Sequence, residues 1–426
     1  VIHPAKQPSL VYADAHGNIT DCLDLHAAGM SGGEFQLPPK SDFIPLPEGS
    51  ELFVLPGRLP IGCDLKTGEP LLLEEDPYSG KKIQAVAAFM SPAHTATLNS
   101  AYQTTENAPR LPLFAYTAVG WYDDRFWATA FRSDNDTRQD CSQFNQAVIN
   151  AKTAKKLRDN KSNRLIQHLG KCCLTYACPA ARNYFLGRWE APLPTSPVCN
   201  ARCVGCISLQ TSGKCSATQD RIQFVPTPAE ISQVAIPHLQ NAEDAIVSFG
   251  QGCEGEPLLQ TDTIEKAIIA IRKKTERGTI NLNSNASLPQ SVKRLADAGL
   301  DSLRVSINSA QEKYHHNYYR PQNFSLSDVL ESIKVMKKEG KFVSLNYFIL
   351  PGFTNSSHEY DALCSLLTTV KPDRIQLRNL NMDPEHYLQS IQFDHPVISM
   401  GMKEWLAKIK TKFPKLQLGY YNPSIR

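Results

Sequence analysis

An alternation running from about residue 230 to residue 379 constrains this chain more than any other feature. Helical stretches at 230–239, 262–276, 288–298, 325–339 and 358–370 alternate with Ala245–Phe249, Thr279–Asn283, Leu303–Asn308, Phe342–Ile349 and Arg374–Asn379, which read as strands. Thr227-Pro228 opens the first helix, and Gly299 and Gly340 close two later ones. Strands that recur only after a helical crossover must run parallel. With a short strand before Cys199, the pattern predicts an α/β fold of six β/α units. Six units are too few to close an eight-unit barrel without help.

The preceding residues follow a different rhythm. Short strand-like runs such as Leu10–Asp14 and Glu51–Leu55 end at His16-Gly17-Asn18 and Pro56-Gly57, which predicts an N-terminal β-rich domain over 1–140. Its clearest hairpin is expected from Leu113–Val119 and Phe126–Phe131, with Gly120–Arg125 between them and the aromatics in the core. A single helix is expected from Gln143 to Leu169, with Phe144, Val148, Ala151, Ala154 and Leu157 on one face. It belongs to a cysteine-containing connector over 141–190, followed by a core domain over 191–395 and a C-terminal helix and strand over 396–426.

Chemistry concentrates around this array. Cys199, Cys203 and Cys206 are spaced to wrap one corner of a cubane iron–sulfur cluster, which leaves one iron without a protein ligand; a zinc knuckle with a distant fourth ligand shows the same bare pattern. After the second strand comes Gly250-Gln251-Gly252-Cys253-Glu254-Gly255-Glu256-Pro257, a glycine-rich turn that carries acidic charge suited to an ammonium group. Gly68-Glu69-Pro70 repeats the triplet in the first domain, so its meaning depends on position. Asn283 and Asn285 end the third strand, and Arg304, Ser306 and Asn308 alternate along the fourth, on one face where a buried strand should be apolar. Such groups need a ligand or one another.

In this order, on this array, the motifs resemble the radical S-adenosylmethionine (radical SAM) superfamily over about residues 190–395. The resemblance implies a partial (β/α)6 barrel, open on one side, with its chemistry at the carboxyl ends of the strands, and a [4Fe-4S] cluster on Cys199, Cys203 and Cys206 whose open iron chelates S-adenosylmethionine. Reduction would cleave the cofactor to a 5′-deoxyadenosyl radical that abstracts hydrogen from a substrate. Gly255, Glu256 and Pro257 resemble the family's G-E-P motif, which holds the cofactor's amino group. By the same resemblance Arg304 meets the carboxylate, Ser306 and Asn308 the ribose with Asn283 and Asn285 as alternates, Leu350 lies in a turn beside adenine, and Gln376 faces adenine or substrate. Gly205 departs from the family, which places an aromatic residue there, so other groups must hold adenine.

Cys253 is a candidate hydrogen donor to a product radical, or a small buried filler. Cys172 and Cys178, with Cys173 adjacent, could hold an auxiliary iron–sulfur cluster or zinc, completed by Cys141, Cys22 or Cys63; the plain alternative is buried small residues. Tyr314–Pro321 is expected on the active-site rim, contacting substrate or capping a helix.

Lys plus Arg is 45 against 42 for Asp plus Glu, and a net +3 argues against bulk attraction to nucleic acid or membrane. Closely set cysteines from Cys172 to Cys215 suit metal ligation in a reducing compartment, and Val1–Lys6 shows no apolar signal core, so a cytoplasmic protein is expected. The expected partners are a small-molecule or peptide substrate and an electron donor such as flavodoxin or ferredoxin. Only Cys364 follows Cys253, so the cysteine-rich extension common among peptide-modifying relatives is missing and the substrate class stays open. The competing function is an iron–sulfur or zinc protein with an electron-carrying or structural role.

Overall fold

The computed structural model describes residues 7–210, 213, 215–393 and 399–426; Val1–Lys6 and the first residues of the expected C-terminal segment lie outside these. The chain divides into two compact units that interleave along the sequence. One takes the residues up to Asn135 with Phe348–Cys364 and Leu377–Pro414; the other takes Asp136–Tyr347, Ser365–Gln376 and Lys415–Arg426.

The first unit is built on antiparallel strands. Ser9–Ala13 pairs with Ile19–Ala27 and Val119–Tyr122, Glu51–Leu55 with Gln84–Phe89, and Arg58–Asp64 with Tyr102–Thr104. Small side chains let these layers approach: Ala13, Ala88, Ala128 and Ala130 pack with Val11 and Val119, while Ala85 and Ala87 pack with Leu55, Cys63 and Tyr102. The hairpin differs from expectation. Its first strand is Val119–Tyr122, paired to Arg125–Arg132. Asp123 and Asp124 both take positive φ, 52° and 55°, which gives the tight turn whose twist matches the flanking strands, so pairing starts right beside it. Leu113–Ala118 forms no strand and is held through bridges from Thr117 to Ala88 and Asn99. Trp121 and Phe126 face each other across the hairpin, ring centres 4.7 Å apart. Elsewhere in this unit Arg58 and Asp383 form a buried ion pair at 3.0 Å, and Leu111 N also donates to Asp383.

The second unit opens with three helices: α1 (Gln146–Asp159), α2 (Arg164–Leu174) and α3 (Pro179–Leu186). The single helix expected here is broken because Asn163 takes an extended conformation and its side chain accepts from Ile166 N, capping a new helix; Asn145 caps α1 in the same way. The buried face of α1 is also offset: Ile149 and Thr153 are buried, whereas Val148 is exposed.

The strands β1 (Glu190–Leu193), β2 (Ile246–Phe249), β3 (Thr279–Ser284), β4 (Ser302–Ile307), β5 (Phe342–Ile349), β6 (Arg374–Asn379) and β7 (Gln417–Gly419) then form one sheet in sequential order. The pairs from β1 to β5 and between β6 and β7 are parallel. Helices α4 (Pro228–Asn241), α5 (Thr261–Arg272), α6 (Pro289–Ala298), α8 (Leu326–Lys338) and α9 (Ser357–Val370) supply crossovers, with α7 (Glu312–Tyr319) between β4 and α8. This is the mixed α/β fold with a β-rich N-terminal part that the alternation implied, with β7 as an added edge strand. Thr227 and Glu230 cap α4 reciprocally, and Gly299 ends α6 with φ 116°.

Alternation along β4 separates two environments. Leu303, Val305 and Ile307 are fully buried, while Arg304 and Ser306, on the other face, retain solvent access. Register sets Asn283 beside Arg304, Arg304 beside Ser344, and Ser306 beside Asn346. No helix among the described residues is long and apolar enough to cross a membrane.

Candidate active site

The cysteine loop leaves the carboxyl end of β1 and is clamped from two sides. On one side, Gly255 N donates to Ser196 O at 2.6 Å and Glu256 N to Val198 O at 2.8 Å, joining the loop to the turn after β2. A Cβ on Gly255 would stand 1.9 Å from Val198 O, so only glycine permits this approach. On the other side, Arg202 N donates to Tyr319 O and Val204 N to Tyr318 O, so the carboxyl end of α7 satisfies the loop's backbone. The stretch expected on the rim is therefore a helix whose Tyr314, His315, Tyr318 and Tyr319 are buried and whose last carbonyls seat the cysteines.

Burial pushes the Cys199 thiol up to about 11 and Cys203 well above its ordinary value, and the Glu256 carboxylate adds to both, which places that carboxylate in the electrostatic neighbourhood of the loop. Arg221 Nη2 points at Cys206 Sγ from 3.4 Å.

Glu256 is buried and joins two strand ends. Its carboxylate accepts from Leu258 N at 3.0 Å, Ser284 Oγ at 2.5 Å and Asn285 N at 2.9 Å, while burial lifts its carboxyl to about 7. Three of its roughly four acceptor sites are thus used, and Pro257 opens the short turn that it caps. Glu254 does comparable work one step earlier, accepting from Thr195 N at 2.7 Å, Ser196 N at 2.9 Å and Gln251 N at 2.7 Å; it too is lifted by burial to about 7.

The polar strand residues divide into two groups. Asn283 Nδ2 donates to Gly250 O and braces the turn after β2, while Asn285 Nδ2 donates to Asn200 Oδ1 and braces the cysteine loop. Asn308 is fully buried and donates to Tyr314 O, anchoring α7. Gln376 donates to Asn422 Oδ1 at 2.9 Å within a buried network that also links Glu190, Ser248 and Asn281. Arg304 and Ser306 keep accessible positions on the β4 face. Leu350 falls in the first unit, buried, with its N donating to Thr354 Oγ1.

The remaining cysteines sort by helix geometry. His168 and Cys172 lie one turn apart on α2, with Nε2 and Sγ 3.5 Å apart, and Cys253 joins them: the three ligand atoms all lie within 4.8 Å of one another. Hydrogen bonding from Cys253 and the nearby His168 lower the Cys172 thiol, and Cys253 is raised in turn. Cys173 points elsewhere, to Thr153 Oγ1. Cys22 and Cys63 are core residues of the first unit, and Cys141 is exposed.

Residues 193–363 match the family described as the radical SAM superfamily. This stretch is a radical SAM domain. Two curated relatives are similar to the chain. GTP 3',8-cyclase of Lactiplantibacillus plantarum is 31% identical over 36% of this chain and 43% of its own length, and GTP 3',8-cyclase of Sulfurovum sp. is 28% identical over 39% and 47%. The chain thus spans less than half the length of these relatives. Among solved structures, Streptococcus suis SuiB bound to precursor peptide SuiA is 15% identical over 56% of this chain and 52% of that one, with a TM-score of 0.38; methylornithine synthase (PylB) is 12% identical over 63% and 77%, with a TM-score of 0.39.

A radical SAM domain implies a [4Fe-4S] cluster and S-adenosylmethionine, and the donor set here fits them. Cys199, Cys203 and Cys206 supply three soft sulfur ligands from one loop. They do not form a single-ion group, since among the described residues only His168, Cys172 and Cys253 bring three such ligand atoms within 4.8 Å. Cys206 and Cys199 both raise the Cys203 thiol electrostatically, so the three sulfurs are neighbours, and a cubane takes such thiolates on separate irons. Reading the motif missed Glu254, Asn200, Arg221 and His168. A second acidic residue beside Gly255-Glu256-Pro257 was the available signal for Glu254, and the four-residue step from His168 to Cys172 was the signal for that pair. Arg221 carries no local signal.

Proposed function

We propose that the chain is a radical SAM enzyme in which Cys199, Cys203 and Cys206 hold the cluster, with Glu256 and the surrounding backbone receiving the ammonium of S-adenosylmethionine. When bound, the pair supplies a 5′-deoxyadenosyl radical that abstracts hydrogen from a carbon centre. The observation that carries this reading is the coupling of the two motifs: Glu256 N is bonded to Val198 O beside the first cysteine, and its carboxylate lies close enough to raise Cys199 and Cys203. A cation arriving there would favour the ionised form of a carboxyl that burial holds near 7. Arg304 and Ser306, accessible on β4, are assigned to the cofactor's carboxylate and ribose. Asn283, Asn285 and Asn308 are assigned to orienting the loops that carry these contacts, and Gln376 remains a proposed neighbour of adenine or substrate.

Reducing equivalents would come from a flavodoxin- or ferredoxin-type donor. The substrate is proposed to be a peptide or a small polar metabolite, and the curated relatives' names give the second class its weight. The test is anaerobic reconstitution followed by dithionite reduction with S-adenosylmethionine. The expected products are 5′-deoxyadenosine and methionine from the intact chain and none from a Cys199→Ala, Cys203→Ala, Cys206→Ala variant. Cleavage by that variant, or none by the intact reconstituted chain, would leave the electron-carrying or structural reading. The compound that loses hydrogen to labelled cofactor then identifies the substrate.

A further inference from the structure

We propose that His168, Cys172 and Cys253 form a second metal centre that binds one thiophilic divalent ion, zinc by donor chemistry, and fastens α2 to the turn that carries Glu256. Two thiols and an imidazole are the donor types of structural zinc sites. The spacing agrees with one tetrahedral ion. Zn–S and Zn–N bonds of ordinary length give an N···S edge of about 3.6 Å, and Cys172 Sγ stands 3.5 Å from His168 Nε2. All three ligand atoms lie within 4.8 Å of one another, closer than the thiolates of a cubane would be, so the site suits a single ion.

The surroundings support it. Cys172 and Cys253 are 2% and 5% exposed, shielded from exchange, while His168 retains solvent access through which an ion could enter. Cys178 N donates to Cys172 O at 3.1 Å, and the Cys178 thiol is near enough for its charge to raise Cys253. Cys253 O accepts from Ile222 N, and three residues further on Glu256 caps its own turn, so an ion at Cys253 would tie the middle of the Gly250–Glu256 loop to α2. The centre is independent of the cluster loop: no ligand is shared with Cys199, Cys203 or Cys206.

The full chain, reconstituted anaerobically, is analysed for zinc and iron by mass spectrometry, and separately loaded with Co2+ in place of zinc. The expected result is about one zinc beside about four irons per chain and a thiolate-to-cobalt charge-transfer band. Cys172→Ser, Cys253→Ser and His168→Ala should each lose the zinc with iron retained, whereas Cys173→Ser should keep both. The Co2+ band on the intact chain keeps the proposal testable if a variant fails to fold. An intact chain that takes up neither zinc nor Co2+, a Cys172–Cys253 disulfide in the peptide map, or zinc that persists in the Cys172→Ser, Cys253→Ser double variant would overturn the assignment.

Discussion

Gly-Glu-Pro occurs twice in this chain, and an alanine at each glycine separates steric approach from backbone conformation. At Gly255 a Cβ would stand 1.9 Å from Val198 O and 2.4 Å from Val198 C, both backbone atoms that cannot rotate away. Moving the methyl out to ordinary contact opens the approach by about 1.5 Å, which takes the 2.6 Å and 2.8 Å bonds from Gly255 N and Glu256 N beyond hydrogen-bonding range. Two such bonds, partly buried, are together worth about 1–3 kcal/mol, a loss of about five- to 150-fold in the population of the clamped loop. At Gly68 the nearest atom to a Cβ is Leu37 Cδ2 at 3.5 Å, so the cost there comes only from φ of +74°, about 1–2 kcal/mol. Gly255→Ala should therefore lower iron and sulfide per chain after reconstitution and speed amide exchange across residues 196–206. Gly68→Ala should lose some thermal stability with iron retained. A Gly255→Ala protein with wild-type iron and wild-type protection of that loop would refute the argument that this approach seats the cluster.

Arg58→Ala should leave Asp383 buried without its cation and cost about 3–5 kcal/mol, read as a fall in the thermal midpoint; an unchanged midpoint would mean that water reaches Asp383. His238 is buried, with Nε2 bonded to Trp189 O at 2.7 Å, and burial lowers its pKa from 6.5 to about 4. The unfolded chain then binds the extra proton first, so stability is complete above pH 6.5 and falls as pH drops toward 4, by about 3 kcal/mol in all; His238→Gln should flatten that slope in denaturant titrations. Arg221→Ala should remove a donor from Cys206 Sγ and make the reconstituted cluster harder to reduce, a negative shift in potentiometric titration, and an unshifted potential would place Arg221 outside the cluster's influence. Glu254→Gln turns one acceptor oxygen into a donor facing backbone N–H groups, so iron retention should fall although the side chain keeps its size, with Glu254→Ala at least as severe.

The β/α array was legible because its signals are local. Apolar strands, the Thr227–Glu230 capping box, and Gly299 and Gly340 each act within a few residues, and they agree with one another along the whole stretch. The same holds for the cysteine spacing and for the polar face of β4. Where the local signal was a cap, it could be overlooked: Asn163 splits a stretch whose periodicity alone reads as one helix. At the hairpin, Leu113–Val119 has better strand composition than Val119–Tyr122, yet two aspartates willing to take positive φ decided where pairing begins.

Tertiary structure alone decided which of these polar groups meet. Composition shows that Glu254 and Glu256 are acidic, but long-range contacts set one against Thr195 and Ser196 and the other against Ser284 and Asn285. Cys172 and Cys173 are indistinguishable by spacing, and the roughly 100° turn per helical residue sends one toward His168 and Cys253 and the other toward Thr153. Arg58 finds Asp383 across 325 residues of chain. Periodicity and capping are properties of neighbours along the backbone and so are written in the sequence, whereas a buried charge or thiol takes its partner from whatever the completed packing brings within hydrogen-bonding distance.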